Sequence, residues 1–158
     1  MRAEFVEEVL KLMRSDEEIF VLLGDLGFGI FDRMRSEFPT RCINIGSSEQ
    51  LMLGMACGMA LEGKKVICYS ITSFLLYRPF EFIRNYLSNE KIPVKLVGSG
   101  RGKDYSEAGF SHYSDEAESI LKQLPSIQSY FPNNVEEMRN LVVDFIYSDN
   151  PSFLSLTR

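Results

Sequence analysis

Apolar side chains recur at helical spacing over residues 3–14, with Val6, Val9, Leu10 and Met13 on one face. Ile19–Leu23 is then apolar without interruption, the pattern of a strand covered on both sides of a sheet. The alternation runs to the last residues. It predicts a loop at 24–29, a helix over 30–38 stopped by Pro39, a strand at 41–45 and a helix through Glu62. Next come a strand at 66–71, a helix over 75–87, a strand at 94–97 announced by Pro93, and a long loop at 98–113. A helix over 114–124 ended by Pro125, a strand at 127–131, a helix over 135–148 and a strand at 153–156 complete the series. Six strands alternating with helices predict an α/β fold: one domain over residues 1–158, built on a mostly parallel six-stranded sheet with helices on both faces.

In sheets of this kind ligands bind outside the carboxyl ends of the strands. The loops at Gly24, Gly46, Ser73 and Gly98 all follow strands, so all four are expected at that edge. The run Asn44–Ala60, NIGSSEQLMLGMACGMA, sets one carboxylate, Glu49, at the start of a helix apolar nearly all round, which predicts a buried helix. Ser47 and Gln50 have capping-box spacing. Gly54 and Gly58, four apart, would let another backbone approach one face. By these residues alone Glu49 has two readings: a carboxylate placed in the favourable field of a helix N-terminus, or a functional acid.

Composition narrows the classes. With 45% hydrophobic and 25% charged residues the chain is globular, and at a net charge of −5 with scattered basic residues it is a poor match for nucleic acid or an anionic membrane. No apolar run approaches a membrane span, and the acidic amphipathic start is unlike a signal or transit peptide. Cys42, Cys57 and Cys68 are odd in number and far apart, and are expected to be reduced core residues in a cytoplasmic protein.

Two glycine loops fail as nucleotide cradles. GDLGFG at 24–29 has the glycines in the wrong order for a dinucleotide fingerprint, and GSGRGK at 98–103 lacks the Ser or Thr and the following helix of a phosphate loop. No cluster of His, Cys and carboxylates has metal-ligand spacing. His112 is the sole histidine, in a long loop at the ligand edge; a bystander role and a catalytic one both fit that position.

Four stretches taken in order carry a resemblance: NIGSSEQLMLGMACGMALEGKKV, SFLLYRPFEFIRN, GFSHYSDEAESILKQLPSIQSYFPNNVEEM and the closing PSFLSLTR. Together they resemble the pyrimidine-binding domain of transketolase-type thiamine diphosphate enzymes, nearly throughout from Leu23 onward. The resemblance implies that Glu49 hydrogen-bonds a ring nitrogen of the cofactor's aminopyrimidine and so favours the imino form that removes the thiazolium proton. It implies that Phe74 stacks on the pyrimidine, that Tyr77 is another wall of that pocket, that Asp25 lies near the thiazolium, and that His112 contacts substrate.

The departures are as specific. Ser47 and Ser48 stand where the family has an aliphatic and a small residue, Ser111 replaces a threonine, Ala108 an aspartate and Gly100 a histidine. Gly24-Asp25-Leu26 is not the G-D-G element that holds magnesium and diphosphate, Asn133-Asn134 is too distant to complete one, and neither a diphosphate-binding half nor a third, C-terminal domain is expected here. The implied protein is therefore one subunit of a split enzyme. A separate diphosphate-binding subunit would hold Mg²⁺, and pairing through the Glu49 helix would give a dimer of heterodimers. Two-carbon ketol transfer between sugars or sugar phosphates is the implied reaction. The alternatives are the small subunit of a two-subunit 2-oxo acid decarboxylase and a non-catalytic interaction paralogue.

Overall fold

The computed structural model describes residues 1–158. Six strands, β1 (Ile19–Leu23), β2 (Cys42–Asn44), β3 (Lys65–Ile71), β4 (Lys95–Ser99), β5 (Gln128–Tyr130) and β6 (Ser152–Leu156), form one sheet in the order β2-β1-β3-β4-β6-β5. Every pairing is parallel, with Leu23 level with Asn44 and Tyr69, and Ser99 level with Ile71 and Leu156. The expected sheet is thus realised, and it is parallel throughout.

Alternate strand residues feed opposite faces. Val21, Leu23, Ile67, Tyr69, Val97 and Leu154 join a cluster with α1 (Arg2–Ser15) and α7 (Val135–Tyr147). Leu22, Val66, Cys68, Leu96 and Phe153 join a second cluster with α3 (Glu49–Leu61), α4 (Thr72–Tyr77) and α6 (Ala117–Leu121). Both faces are dry, which is why the strands carry unbroken apolar runs. No helix is long and apolar enough to cross a membrane. The three cysteines are free and buried, and burial pushes the thiols of Cys42 and Cys57 up to about 11.

Lys95, the first residue of β4, is 1% exposed. Its Nζ donates to the carbonyls of Ser148 and Asn150 at 2.6 and 2.5 Å, which ties down the turn between α7 and β6. Loss of hydration brings its amine down to about 8.

Several helices differ from expectation. The helix over 30–38 shortens to α2 (Asp32–Glu37), and that over 114–124 to α6. The helix over 75–87 divides: α4 starts earlier, at Thr72, and stops before Pro79, which has no N–H to continue the ladder. The chain resumes as α5 (Phe80–Phe82) and a π-helical stretch, Ile83–Asn89, whose wider turn closes with Glu90 N–H donating to the Asn85 carbonyl at 3.2 Å. The Ser47–Gln50 capping box does not form. Ser48 is the cap and makes no side-chain bond to the helix; the turn is closed instead by Asn44 Oδ1, which accepts from the N–H groups of Gly46 and Asp25, each at 3.0 Å.

Nor is α3 buried all round. Met52, Leu53, Ala56, Cys57 and Ala60 face the core, while Leu51 and Leu61 are 58% and 72% exposed. Gly58 lies on the outer side with open space where a Cβ would point, whereas a Cβ on Gly54 would touch the Phe82 ring at 3.4 Å. The outward stripe Leu51, Gly58, Leu61 has helical spacing.

Candidate functional site

The carboxyl ends of β1, β2 and β3 converge on Glu49, the first residue of α3. Glu49 is 1% exposed although the helix it begins starts at the rim of the sheet. Its two oxygens are separately held: Ser70 Oγ on β3 donates to Oε1 at 2.8 Å, and Arg78 Nη1, just past α4, donates to Oε2 at 2.7 Å. A buried carboxylate with both oxygens bonded is a strong, oriented acceptor.

Gly24 makes the close approach possible. Its N–H donates to the Tyr69 carbonyl at 2.9 Å, extending the ladder past the end of β1 and setting its Cα beside Ser70. A Cβ there would stand 2.7 Å from Ser70 Oγ and 3.2 Å from Glu49 Oε1. The absence of a side chain at position 24 is therefore what leaves room at the carboxylate.

The turn from β3 into α4 supplies the aromatic wall. Thr72 Oγ1 donates to the Gly100 carbonyl at 2.5 Å, and Ser73 Oγ to the Ser111 carbonyl at 2.8 Å, so the loop after β4 is stitched to the start of α4. That stitching brings His112 against Phe74 edge to face, with ring centres 4.8 Å apart. Ser111 Oγ lies 3.1 Å from His112 Nδ1. Phe74 also carries the Arg78 guanidinium over its ring at 3.8 Å. Beside them a cleft of about 380 Å³ opens, lined by Ser47, Ser48, Glu49, Gln50, Leu51 and Arg78.

Of the residues expected from sequence, Glu49, Phe74 and His112 are brought together, with Arg78 joining the first two. Asp25 sits at the same edge, exposed, in left-handed backbone (φ 57), its carboxylate accepting from Asn44 Nδ2 at 3.0 Å. Tyr77 stands three residues after Phe74, at the last position of α4. Its hydroxyl donates to Glu116 Oε2 at 3.1 Å, and burial together with that carboxylate pushes the phenol up to about 12. Asn134 caps α7, its Oδ1 accepting from Glu137 N–H at 2.9 Å, and Asn133 donates to the same glutamate. Arg78 and Ser70, the two side chains that hold Glu49, are the ones sequence reasoning misses. Arg78 carried a legible signal, standing four residues after Phe74 on one helical face. Ser70 had none, since its partner is 21 residues distant in the chain.

A parallel sheet, a buried carboxylate at a helix start and an aromatic face beside it define an α/β domain with its candidate site at the carboxyl edge. The chain belongs to the transketolase pyrimidine-binding domain family, whose model matches residues 1–158. It is 28% identical over 159 residues to the 6-deoxy-6-sulfo-D-fructose transketolase subunit SqwH of a Clostridium strain, covering 100% of this chain and 49% of that protein. It is 26% identical to a subunit of the apulose-4-phosphate transketolase of Phocaeicola vulgatus, covering 99% of this chain and 51% of that one. The solved structure of a split-gene transketolase, an inactive beta4 tetramer, matches with a TM-score of 0.87 at 26% identity, over 99% of this chain and 50% of that chain. The chain thus spans about half the length of the curated relatives it matches.

Proposed function

We propose that this chain is the pyrimidine-binding subunit of a split, thiamine diphosphate-dependent, transketolase-like enzyme of the cytoplasm. It would move a two-carbon ketol unit between sugar or sugar phosphate substrates. The observation that carries this reading is the buried Glu49 carboxylate, held by Ser70 and set beside an aromatic ring that already accepts a planar cation on its face. Those residues fit the pyrimidine half of the cofactor, and the space a Cβ at Gly24 would fill fits the same purpose. When bound, thiamine diphosphate supplies the electron sink for carbon–carbon bond cleavage.

The chain's own residues have distinct tasks. Glu49 holds a proton against a ring nitrogen from a dry, fixed position, help worth roughly 10²–10⁴-fold. Phe74 supports the ring from one side, Tyr77 adds a second wall further along α4, and Asp25 stands at the thiazolium end. His112, edge-on to Phe74, meets the substrate. Gly100, where many transketolases have a histidine, has φ 83, and a Cβ on it would run into the Tyr105 ring. Substrate choice is expected to differ accordingly.

A separate diphosphate-binding subunit would hold the diphosphate and Mg²⁺, because Asn133 and Asn134 are committed to the start of α7. The outward stripe of α3 supports a dimer of heterodimers. Co-expression with the neighbouring gene's product, then thiamine diphosphate titration with magnesium and a ketol-transfer assay, tests the reading. A folded complex that binds no cofactor would overturn it.

A further inference from the structure

Arg78 has two partners, and both belong to the cofactor seat. Its Nη1 bonds Glu49 Oε2 at 2.7 Å, and its Cζ stands 3.8 Å over the centre of the Phe74 ring. A guanidinium is planar, cationic and edged with N–H donors. A protonated aminopyrimidine offers the same three properties to a carboxylate and an aromatic face. A ring stacked on Phe74 and bonded to Glu49 needs the volume that Arg78 fills.

We infer that Arg78 is a displaceable counter-ion, pairing Glu49 and covering Phe74 until the pyrimidine takes both contacts from it; the inference rests on the cofactor reading proposed above. The asymmetry of the pair says which member moves. The Glu49 side chain is 0% exposed and keeps its Ser70 bond, whereas the Arg78 side chain is 43% exposed at the end of a short helix that Pro79 terminates. The guanidinium is therefore the member that swings into water, and the carboxylate stays in place. Arg78 spares the fold an unpaired buried charge before cofactor arrives, at the expense of affinity, since cofactor binds only the fraction of molecules in which the arginine has left.

Two measurements test this, one without cofactor. In the purified chain, Arg78→Met should lower the thermal midpoint by roughly 5 °C, and most of that loss should vanish in a Glu49→Gln background. An equal loss in both backgrounds overturns the pairing. In the complex with the diphosphate-binding subunit, Arg78→Met and Arg78→Ala should bind thiamine diphosphate at least about fivefold more tightly than wild type. Unchanged or weaker binding by both variants, with wild type binding normally, overturns displacement while leaving the cofactor reading intact. If wild type and variants alike bind no cofactor, the cofactor reading fails and the competition falls with it.

Discussion

Ser70 Oγ donates to Glu49 Oε1 at 2.8 Å, joining an inner strand of the sheet to the first residue of α3. Both groups are buried, so losing the donor leaves a carboxylate oxygen unsatisfied away from water. Ser70→Ala should cost roughly 1–3 kcal/mol in chemical denaturation. Retention of wild-type stability would mean that Glu49 is not oriented by the strand.

Glu49→Gln preserves shape and removes the acid. The variant complex should fold and assemble normally yet turn over roughly 10²–10⁴-fold more slowly. Unchanged turnover would remove Glu49 from the chemistry.

Gly24→Ala should crowd Ser70 and Glu49, since the added carbon would lie 2.7 Å from one and 3.2 Å from the other. The backbone at Gly24 is outside the left-handed region, so the effect is packing alone. Expected are a loss of roughly 1–3 kcal/mol and weaker cofactor binding. Equal cofactor affinity in the variant would show that the site tolerates a methyl group there.

His112 touches Phe74 by its ring edge and has no contact with Glu49 among its bonds. His112→Ala should raise KM and lower kcat/KM for substrate while leaving the cofactor Kd within about twofold. Equal losses in both would assign the histidine to the cofactor wall.

Lys95 gives the stability curve a basic limb. Folding brings its amine from an ordinary 10.5 down to about 8, so between those values the unfolded chain binds more protons than the folded one. Stability should therefore rise as pH increases through that window, with the relief absent below about 8 and complete above 10.5. Urea midpoints for wild type and Lys95→Met compare the slopes directly. A parallel pH dependence in the two proteins would discount the lysine.

The sheet was legible because strands covered on both faces write unbroken apolar runs such as Ile19–Leu23, and Glu49 because it begins a periodic helix just past a strand. The segment after Ser73 was not legible as built. Its apolar spacing reads as one helix, yet Pro79 stops α4 and the π-helical stretch alters which residues face inward. The capping box does not form; Asn44 Oδ1 closes the turn instead, accepting from Gly46 two residues on and from Asp25 19 residues back. Contacts between elements, Ser70 with Glu49 above all, leave no local trace in the chain.

One helix, about 20 Å long, bears Glu49 at its first position and the outward stripe of Leu51, Gly58 and Leu61 along its length. Carboxylate and stripe thus belong to one continuous rod of backbone. Under the proposed dimer of heterodimers, a partner seated on the stripe would press on the same rod that carries Glu49, and specific activity would then fall on dilution before any unfolding begins.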